Sequence, residues 1–326
     1  MAAPADPPFT ITNSIIELVG EISRRIGILT VGINMSGNPR LHHANRIRSI
    51  HSSLAIENNT LTLEQVTDII QGKHVLGPPS EIREVKNAFQ AYEQLSAFDP
   101  YSVDDFLHAH QLMTSDLIND AGRFRTTGVG VFSGDTVVHM APPAALVPEL
   151  ITNLFTWAKS SDVHPLIKSC VFHFKLEFIH PFIDGNGRMG RLWQTLILSK
   201  WEPLFAWIPI ESLIHESRQQ YYNALGESGK KGDSTYFVEF MLTVISNALD
   251  MYEKDVKKSS VRLSEKEQTI LNLIKGNSRI TIAGIVEITG YPRSTVTRLI
   301  KNMSDNSIIE RVGSKKNGYW NPLANY

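Results

Sequence analysis

The sequence predicts a mainly α protein: a helical bundle interrupted by one β-hairpin and followed by a small, basic α+β domain. Three observations carry this. Apolar residues recur at helical spacing through most of the chain, a short β-branched run split by a turn breaks that pattern near position 130, and charge is unevenly divided along the 326 residues.

The elements follow in order. Ile15, Ile16, Leu18, Val19, Ile22 and Ile26 form a helical stripe expected to end at Gly27, ahead of the turn-rich Ser36-Gly37-Asn38-Pro39. A second helix is expected over 41–57, stopped by Asn58 and Asn59, and Thr62 with Gln65 makes a capping box for a third. Gly77-Pro78-Pro79 punctuates before a helix over 80–97, and another covers 102–119. After Gly122-Arg123-Phe124-Arg125 the texture changes: Val129, Val131, Val137 and Val138, split by Ser133-Gly134-Asp135, have the branching and central turn of a hairpin, closed by Pro142-Pro143. Helices resume over 146–157 and 164–179, yield to a glycine-rich loop at 184–187, and continue over 188–200 and on through Met251. The charged stretch 253–262 lacks an apolar stripe and marks a boundary. The expected division is an N-terminal helical region (1–95), a central domain (96–250) and a C-terminal domain (251–326).

Composition narrows the setting. Cys170 is the single cysteine, so no intramolecular disulfide can form, which suits a reducing cytoplasm. The first residues lack a basic stretch followed by an apolar one, and no apolar run approaches the roughly 20 residues of a bilayer span, so a soluble, cytoplasmic protein with no membrane contact is expected. The net charge of −1 hides an asymmetry: from Lys257 onward there are 12 Lys and Arg against 5 Asp and Glu, and before it 20 against 28. A basic tail domain on an acidic body is compatible with nucleic-acid contact and equally with a solvated basic face.

The string His180-Pro181-Phe182-Ile183-Asp184-Gly185-Asn186-Gly187-Arg188 brings a potential base, a carboxylate, two glycines and a cation to the start of a helix. Glycines let backbone N–H groups approach phosphate oxygens, and a helix N-terminus adds its dipole. Arg188 and Arg191, three apart on that helix, can hold separate phosphates of a polyphosphate. Asp184 supplies a hard oxygen suited to a magnesium ion bridging phosphates, and His180 can accept a proton near neutral pH. Taken singly, a histidine after a helix is usually structural and Asp-Gly-Asn-Gly is usually a turn.

Together these residues resemble the signature of the Fic family, His-x-Phe-x-Asp/Glu-Gly-Asn-Gly-Arg-x-x-Arg, and match it at every specified position through Arg191. The segment from Gly122 to Trp157 resembles the family's flap region, and Tyr221-Tyr222-Asn223-Ala224-Leu225 its later nucleotide-site helix, so the resemblance spans roughly residues 40 to 245. It implies a Fic-domain helical bundle with a β-hairpin flap, acting as a protein adenylyltransferase that moves AMP from ATP to a Ser, Thr or Tyr hydroxyl of a target protein or of itself. In that reading His180 deprotonates the hydroxyl, Asp184 holds Mg2+, and Gly185, Asn186, Gly187 and Arg188 bind phosphates. Arg191 takes the γ-phosphate, and the target docks by strand addition on flap residues 128–140. Tyr221 and Tyr222 are expected either at the adenine pocket or in the core. Family members often carry an asparagine at the adenine edge, where this chain reads Gly226-Glu227-Ser228-Gly229.

Ser53-Leu54-Ala55-Ile56-Glu57-Asn58 resembles the family's inhibitory motif, Ser/Thr-x-x-x-Glu-Gly/Asn, in its N-terminal placement. The resemblance implies that Glu57, oriented by Ser53 four residues earlier, pairs with Arg191 in place of the γ-phosphate. In some relatives this glutamate also assists AMP removal, so a reverse activity stays open.

Helical spacing over 282–289, a turn at Gly290 and a second helix over 292–303 read as helix-turn-helix. The domain resembles a winged helix, with wing strands at 308–312 and 318–320. DNA contact through 281–320 would fall to Arg293, Thr297, Arg298 and Lys301 on the second helix and to Lys315 and Lys316 in the wing. Winged helices also serve as docking or dimerisation modules, so DNA, a protein and a second copy of this chain all stay open as partners. The rival to the enzyme reading is a nucleotide-sensing, DNA-binding regulator, which would have no need of His180. Within enzymes the alternative is phosphate or other phosphodiester transfer, and the small Gly187 argues against the kinase-like branch, which carries a lysine there.

Overall fold

The computed structural model describes residues 6–32, 39–133, 136–259, 263–305, 308–313 and 318–323. The chain divides into two compact units, residues 1–35 with 42–252, and residues 253–326 with 36–41.

In the first unit α1 (Asn13–Gly32) and α2 (Pro39–Ile56) lead into α3 (Leu63–Ile70). The Thr62 hydroxyl accepts the Gln65 N–H and the Gln65 side chain accepts the Thr62 N–H, the reciprocal cap that the sequence predicts. α1 does not stop at Gly27. A lone glycine costs a helix only about 1 kcal/mol, and burying Ile26 and Leu29 on either side of it outweighs that. α4 (Pro79–Glu93) and α5 (Val103–Thr114) are both shorter than the spacing predicts: a 3-10 turn over Leu95–Ala97 follows one, and a left-handed Asp116 (φ 59) follows the other. The predicted hairpin forms from β1 (Gly130–Ser133) and β2 (Thr136–Met140), antiparallel with Gly130 opposite Met140. Its turn residues Gly134 and Asp135 lie outside the described residues.

Next come α6 (Val147–Ser160), α7 (Pro165–Ile179), α8 (Asn186–Trp201), α9 (Ile210–Glu216), α10 (Arg218–Lys231) and α11 (Thr235–Ser259). α7 is apolar on nearly every face, and Cys170, Val171, Phe172, Phe174 and Leu176 are all buried, as expected of a helix at the centre of a bundle. Phe106, Phe155, Phe172, Phe182 and Trp193 interlock in the core between α5, α6, α7 and α8. Phe182 is fully buried although it belongs to the α7–α8 loop, so the core itself fixes that loop, with each such ring contributing roughly 1.5–3 kcal/mol. No helix among the described residues is long and apolar enough to cross a membrane.

The second unit holds α12 (Glu265–Gly276), α13 (Ile282–Thr289), α14 (Arg293–Asp305) and the paired strands β3 (Ile309–Val312) and β4 (Tyr319–Pro322). Gly290 makes the turn between α13 and α14 in the left-handed conformation, φ 69. Ile270, Ile274, Ile285, Val296, Ile300 and Met303 form a separate core. Helix α12, capped by Ser264 and Glu267, has no counterpart among the expected elements. Residues 253–259, expected as a boundary, are helical and continue α11.

Candidate active site

The site is built at the junction of α7 and α8. His180 ends α7 in the left-handed conformation (φ 50, ψ 62), a state that costs a residue with a side chain roughly 1–2 kcal/mol and persists only when its surroundings enforce it. Arg125 does so from below: its Nε donates to the His180 carbonyl at 2.7 Å and its backbone N–H to the Pro181 carbonyl at 2.9 Å. His110 enforces the far side of the loop. Its Nδ1 accepts the Gly122 N–H (2.9 Å), so Nε2 carries the proton and donates to the Asp184 carbonyl (3.0 Å), while its ring stacks on Phe182. Burial pushes the His110 pKa down to about 4, against a partial upward pull from its bond to Asp184.

The glycine cradle follows. Gly185 takes φ 85 at the start of α8, where a side chain would be strained and would also press on Thr114. The Asn186 side chain, expected at a phosphate, is engaged on both sides by the loop: Oδ1 accepts the Phe182 N–H and Nδ2 donates to the Phe182 carbonyl, each at 2.9 Å. What Asn186 can offer an anion is therefore its backbone N–H. Arg188 is buried between two carboxylates, donating to Asp184 Oδ2 at 3.0 Å and to Glu84 Oε1 at 3.4 Å. Asp184 is half exposed, and its Oδ1 accepts the Gly185 N–H at 2.6 Å.

Arg191 lies one turn further along α8 and is almost fully buried. Its Nη2 donates to Glu57 Oε1 at 2.7 Å and to the Ser53 carbonyl at 3.0 Å, its Nε donates to Ser53 Oγ at 3.0 Å, and Nη1 has no partner among the described residues. Burial alone would lower the guanidinium pKa, but Glu57 in contact outweighs this and raises it above the ordinary arginine value. The pairing expected between Glu57 and Arg191 is present. The expected role of Ser53 is corrected: its hydroxyl and carbonyl hold Arg191 and not Glu57. α2 ends at Ile56, and Glu57 continues in a tighter turn, its N–H on the Leu54 carbonyl and Asn58 left-handed at φ 69, and Ser53 and Glu57 both meet the Arg191 guanidinium from this helix end. Glu57 Oε1 fits against Gly187, where a Cβ would collide with it.

His180, Gly187, Arg191 and Glu57 line one cavity of about 720 Å³, which Tyr221, Tyr222, Gly226 and Gly229 of α10 also border. Tyr221 is the more deeply placed. Its hydroxyl bonds to Nε2 of His173, whose Nδ1 donates to Gln194 Oε1, and burial raises the phenol pKa well above its usual value. Tyr222 is 38% exposed at the rim, with the Arg218 guanidinium over its ring. Glu177, Glu84, Arg125 and His110 escaped the sequence reading. Two of them left a signal there: Arg125 ends the Gly122-Arg123-Phe124-Arg125 stretch at the head of the flap resemblance, with no role assigned to it, and Glu177 lies four residues after His173 and three before His180 on α7. On α14 the residues Arg293, Thr297, Arg298 and Lys301 are all exposed, whereas Lys315 and Lys316 lie outside the described residues.

A histidine, a glycine and a buried arginine that border one cavity at the junction of two helices define a helical protein with a preformed site. The Fic/DOC family model matches residues 100–198, and a winged helix-turn-helix DNA-binding model matches residues 263–310. The crystal structure of a Fic family protein from Desulfovibrio desulfuricans G20 is 41% identical and covers 98% of this chain and 99% of that one, with a TM-score of 0.77. The chain therefore belongs to the Fic family. Curated relatives named protein adenylyltransferase Fic, from Nematostella vectensis, and protein adenylyltransferase fic-1, from Caenorhabditis elegans, are 31% and 29% identical over 62% and 71% of this chain. This chain spans less than half of either, 48% and 44% of their lengths.

Proposed function

We propose that the chain is an autoinhibited protein adenylyltransferase, transferring AMP from ATP to a hydroxyl of a target protein. The observation that carries this is the placement of His180, the Gly187 cradle and a buried Arg191 on one cavity, with an internal carboxylate already on the arginine. A proton on Nδ1 of His180, donated to the Glu177 carbonyl at 3.3 Å, leaves Nε2 free to take the proton of an incoming hydroxyl. The hydroxyl oxygen then bonds to the α-phosphorus, the bond from that phosphorus to the β-bridging oxygen breaks, and pyrophosphate leaves. The backbone N–H groups of Asn186 and Gly187 at the start of α8 would take the α- and β-phosphates, Arg188 would reach them only by exchanging its bonds to Asp184 and Glu84, and Arg191, once released, would take the γ-phosphate. Asp184 suits a magnesium ion, because both its oxygens keep a lone pair beyond their hydrogen bonds and one carboxylate with nucleotide phosphates is a donor set that this ion accepts. Such an ion would supply charge neutralisation of the phosphates. Tyr222 and the backbone of α10 would flank the base, with no side chain at Gly226 or Gly229 to read its edge.

A reducing, cytoplasmic setting is part of this reading and rests on the lone cysteine of the sequence; Cys170 itself is buried, with burial pushing its thiol pKa up to about 12, so it is unreactive in any compartment. The exposed cations of α14 support DNA contact by the second unit. Binding to duplex DNA that weakens with salt tests this, and salt-independent behaviour assigns the unit to protein docking. For the enzyme itself, His180→Ala should abolish labelling by ATP while leaving ATP binding within about threefold, since the imidazole acts on the hydroxyl and not on the nucleotide. Undiminished labelling would remove His180 from the mechanism.

A further inference from the structure

We propose that Arg125 is a positioning residue that holds the catalytic histidine and the target-docking hairpin in one fixed frame; this rests on the adenylyltransferase reading. The Arg125 side chain is 2% exposed, and its guanidinium donates to four carbonyls drawn from two separate stretches of chain. Two belong to the end of α7, His180 at 2.7 Å and Ile179 at 3.3 Å. The others flank the hairpin on either side, Thr127 at 2.9 Å before β1 and Pro142 at 2.6 Å after β2. The backbone adds the bond from Arg125 to Pro181, and Ala141 closes the hairpin base by donating to the Val129 carbonyl.

Arg125 makes no ion pair with a carboxylate among the described residues. Its charge is met by carbonyl dipoles, two of them at the negative end of α7. A buried arginine used in this way is an adapter between segments and not a surface ion pair. It matches the planar, forked donor set of a guanidinium, which a lysine ammonium cannot reproduce. The consequence is specific to group transfer. If a target segment lies along the hairpin, its hydroxyl is placed relative to the hairpin, while the base that must take its proton is placed by the left-handed His180. Arg125 links those two placements. The nucleotide would be held by α8 and α10, to which Arg125 makes no hydrogen bond among the described residues, so losing Arg125 should separate transfer from ATP binding.

The test uses the full chain carrying Glu57→Gly, so that labelling is measurable, with Arg125→Ala and Arg125→Lys added in turn. Both are expected to lower the initial labelling rate about 100-fold, the usual consequence of misplacing a reacting group by about 1 Å, with the ATP dissociation constant changed less than about threefold. Free guanidinium should restore part of the rate to Arg125→Ala and nothing to the parent. Full-rate labelling in either variant overturns the proposal, as does a parallel loss of rate and ATP affinity without guanidinium rescue. Should Arg125→Ala fail to fold, the rate and ATP affinity of Arg125→Lys decide alone. A Glu57→Gly parent that does not label at all counts against the adenylyltransferase reading and not against Arg125.

Discussion

Replacing Glu57 by glycine removes the carboxylate that Arg191 grips and should release the proposed transfer activity. The pair is asymmetric: the Arg191 side chain is 1% exposed and that of Glu57 34%. A charge-assisted hydrogen bond contributes about 1.5–3 kcal/mol, and solvent on the Glu57 side sets this one near the lower end, at about 2 kcal/mol. At about 1.4 kcal/mol per decade, the braked arrangement then outnumbers the open one by about 30 to 1. Glu57→Gly should accordingly raise initial labelling by about 10- to 30-fold at magnesium-ATP well below saturation, where the pair competes with the γ-phosphate. Ser53 still bonds Arg191 at two points in the variant, so the guanidinium stays oriented for a phosphate. Adding Arg191→Ala should cancel the gain, because both residues act through one contact and their effects cannot add. The assay is the initial rate of label incorporation for wild type, both single variants and the double variant at equal protein. An unchanged rate in Glu57→Gly, or a double variant as fast as it, would show that the pair is not a brake.

Two further outcomes follow from particular contacts. Ser53→Ala in the Glu57→Gly background removes the Nε acceptor of Arg191, worth about 1 kcal/mol, and should weaken ATP binding roughly fivefold; a serine that acted only on Glu57 would leave that binding constant untouched. Burial holds His110 down to about 4 from its ordinary 6.5, so the unfolded chain takes up a proton that the folded chain refuses. Its contribution is present above pH 6.5 and is lost as pH falls toward about 4, to a full extent of about 3 kcal/mol. Melting temperatures followed across that range should fall less steeply in His110→Gln, which cannot titrate, and parallel curves for the two proteins would exclude His110 as the source.

Much of the site was legible because its chemistry is local. The residues at 180, 184, 185, 187, 188 and 191 lie within three turns of chain, so a linear motif carries nearly the whole anion cradle. Capping at Thr62 and the turn at Gly290, which proves left-handed, were legible for the same reason, since each is decided within four residues. The partners of Ser53 and Arg125 were not. Ser53 meets Arg191 across 138 positions and Arg125 meets His180 across 55, and neither distance leaves a mark on spacing. The Asn186 side chain turned to the loop backbone because Phe182 is buried there and its N–H and carbonyl needed partners. Helix α12 escaped because its stripe of Ile270, Leu271 and Ile274 is short and begins beside the charged stretch that marked the boundary.

The central claim, transfer of AMP and not of phosphate, is tested most directly by incubating the Glu57→Gly protein with ATP labelled at the α-phosphate and, separately, at the γ-phosphate. The account predicts protein-bound label from the α-position alone, released with the mass of AMP, and none when His180→Ala is added. Label arriving from the γ-position, or α-label that persists without His180, would contradict it.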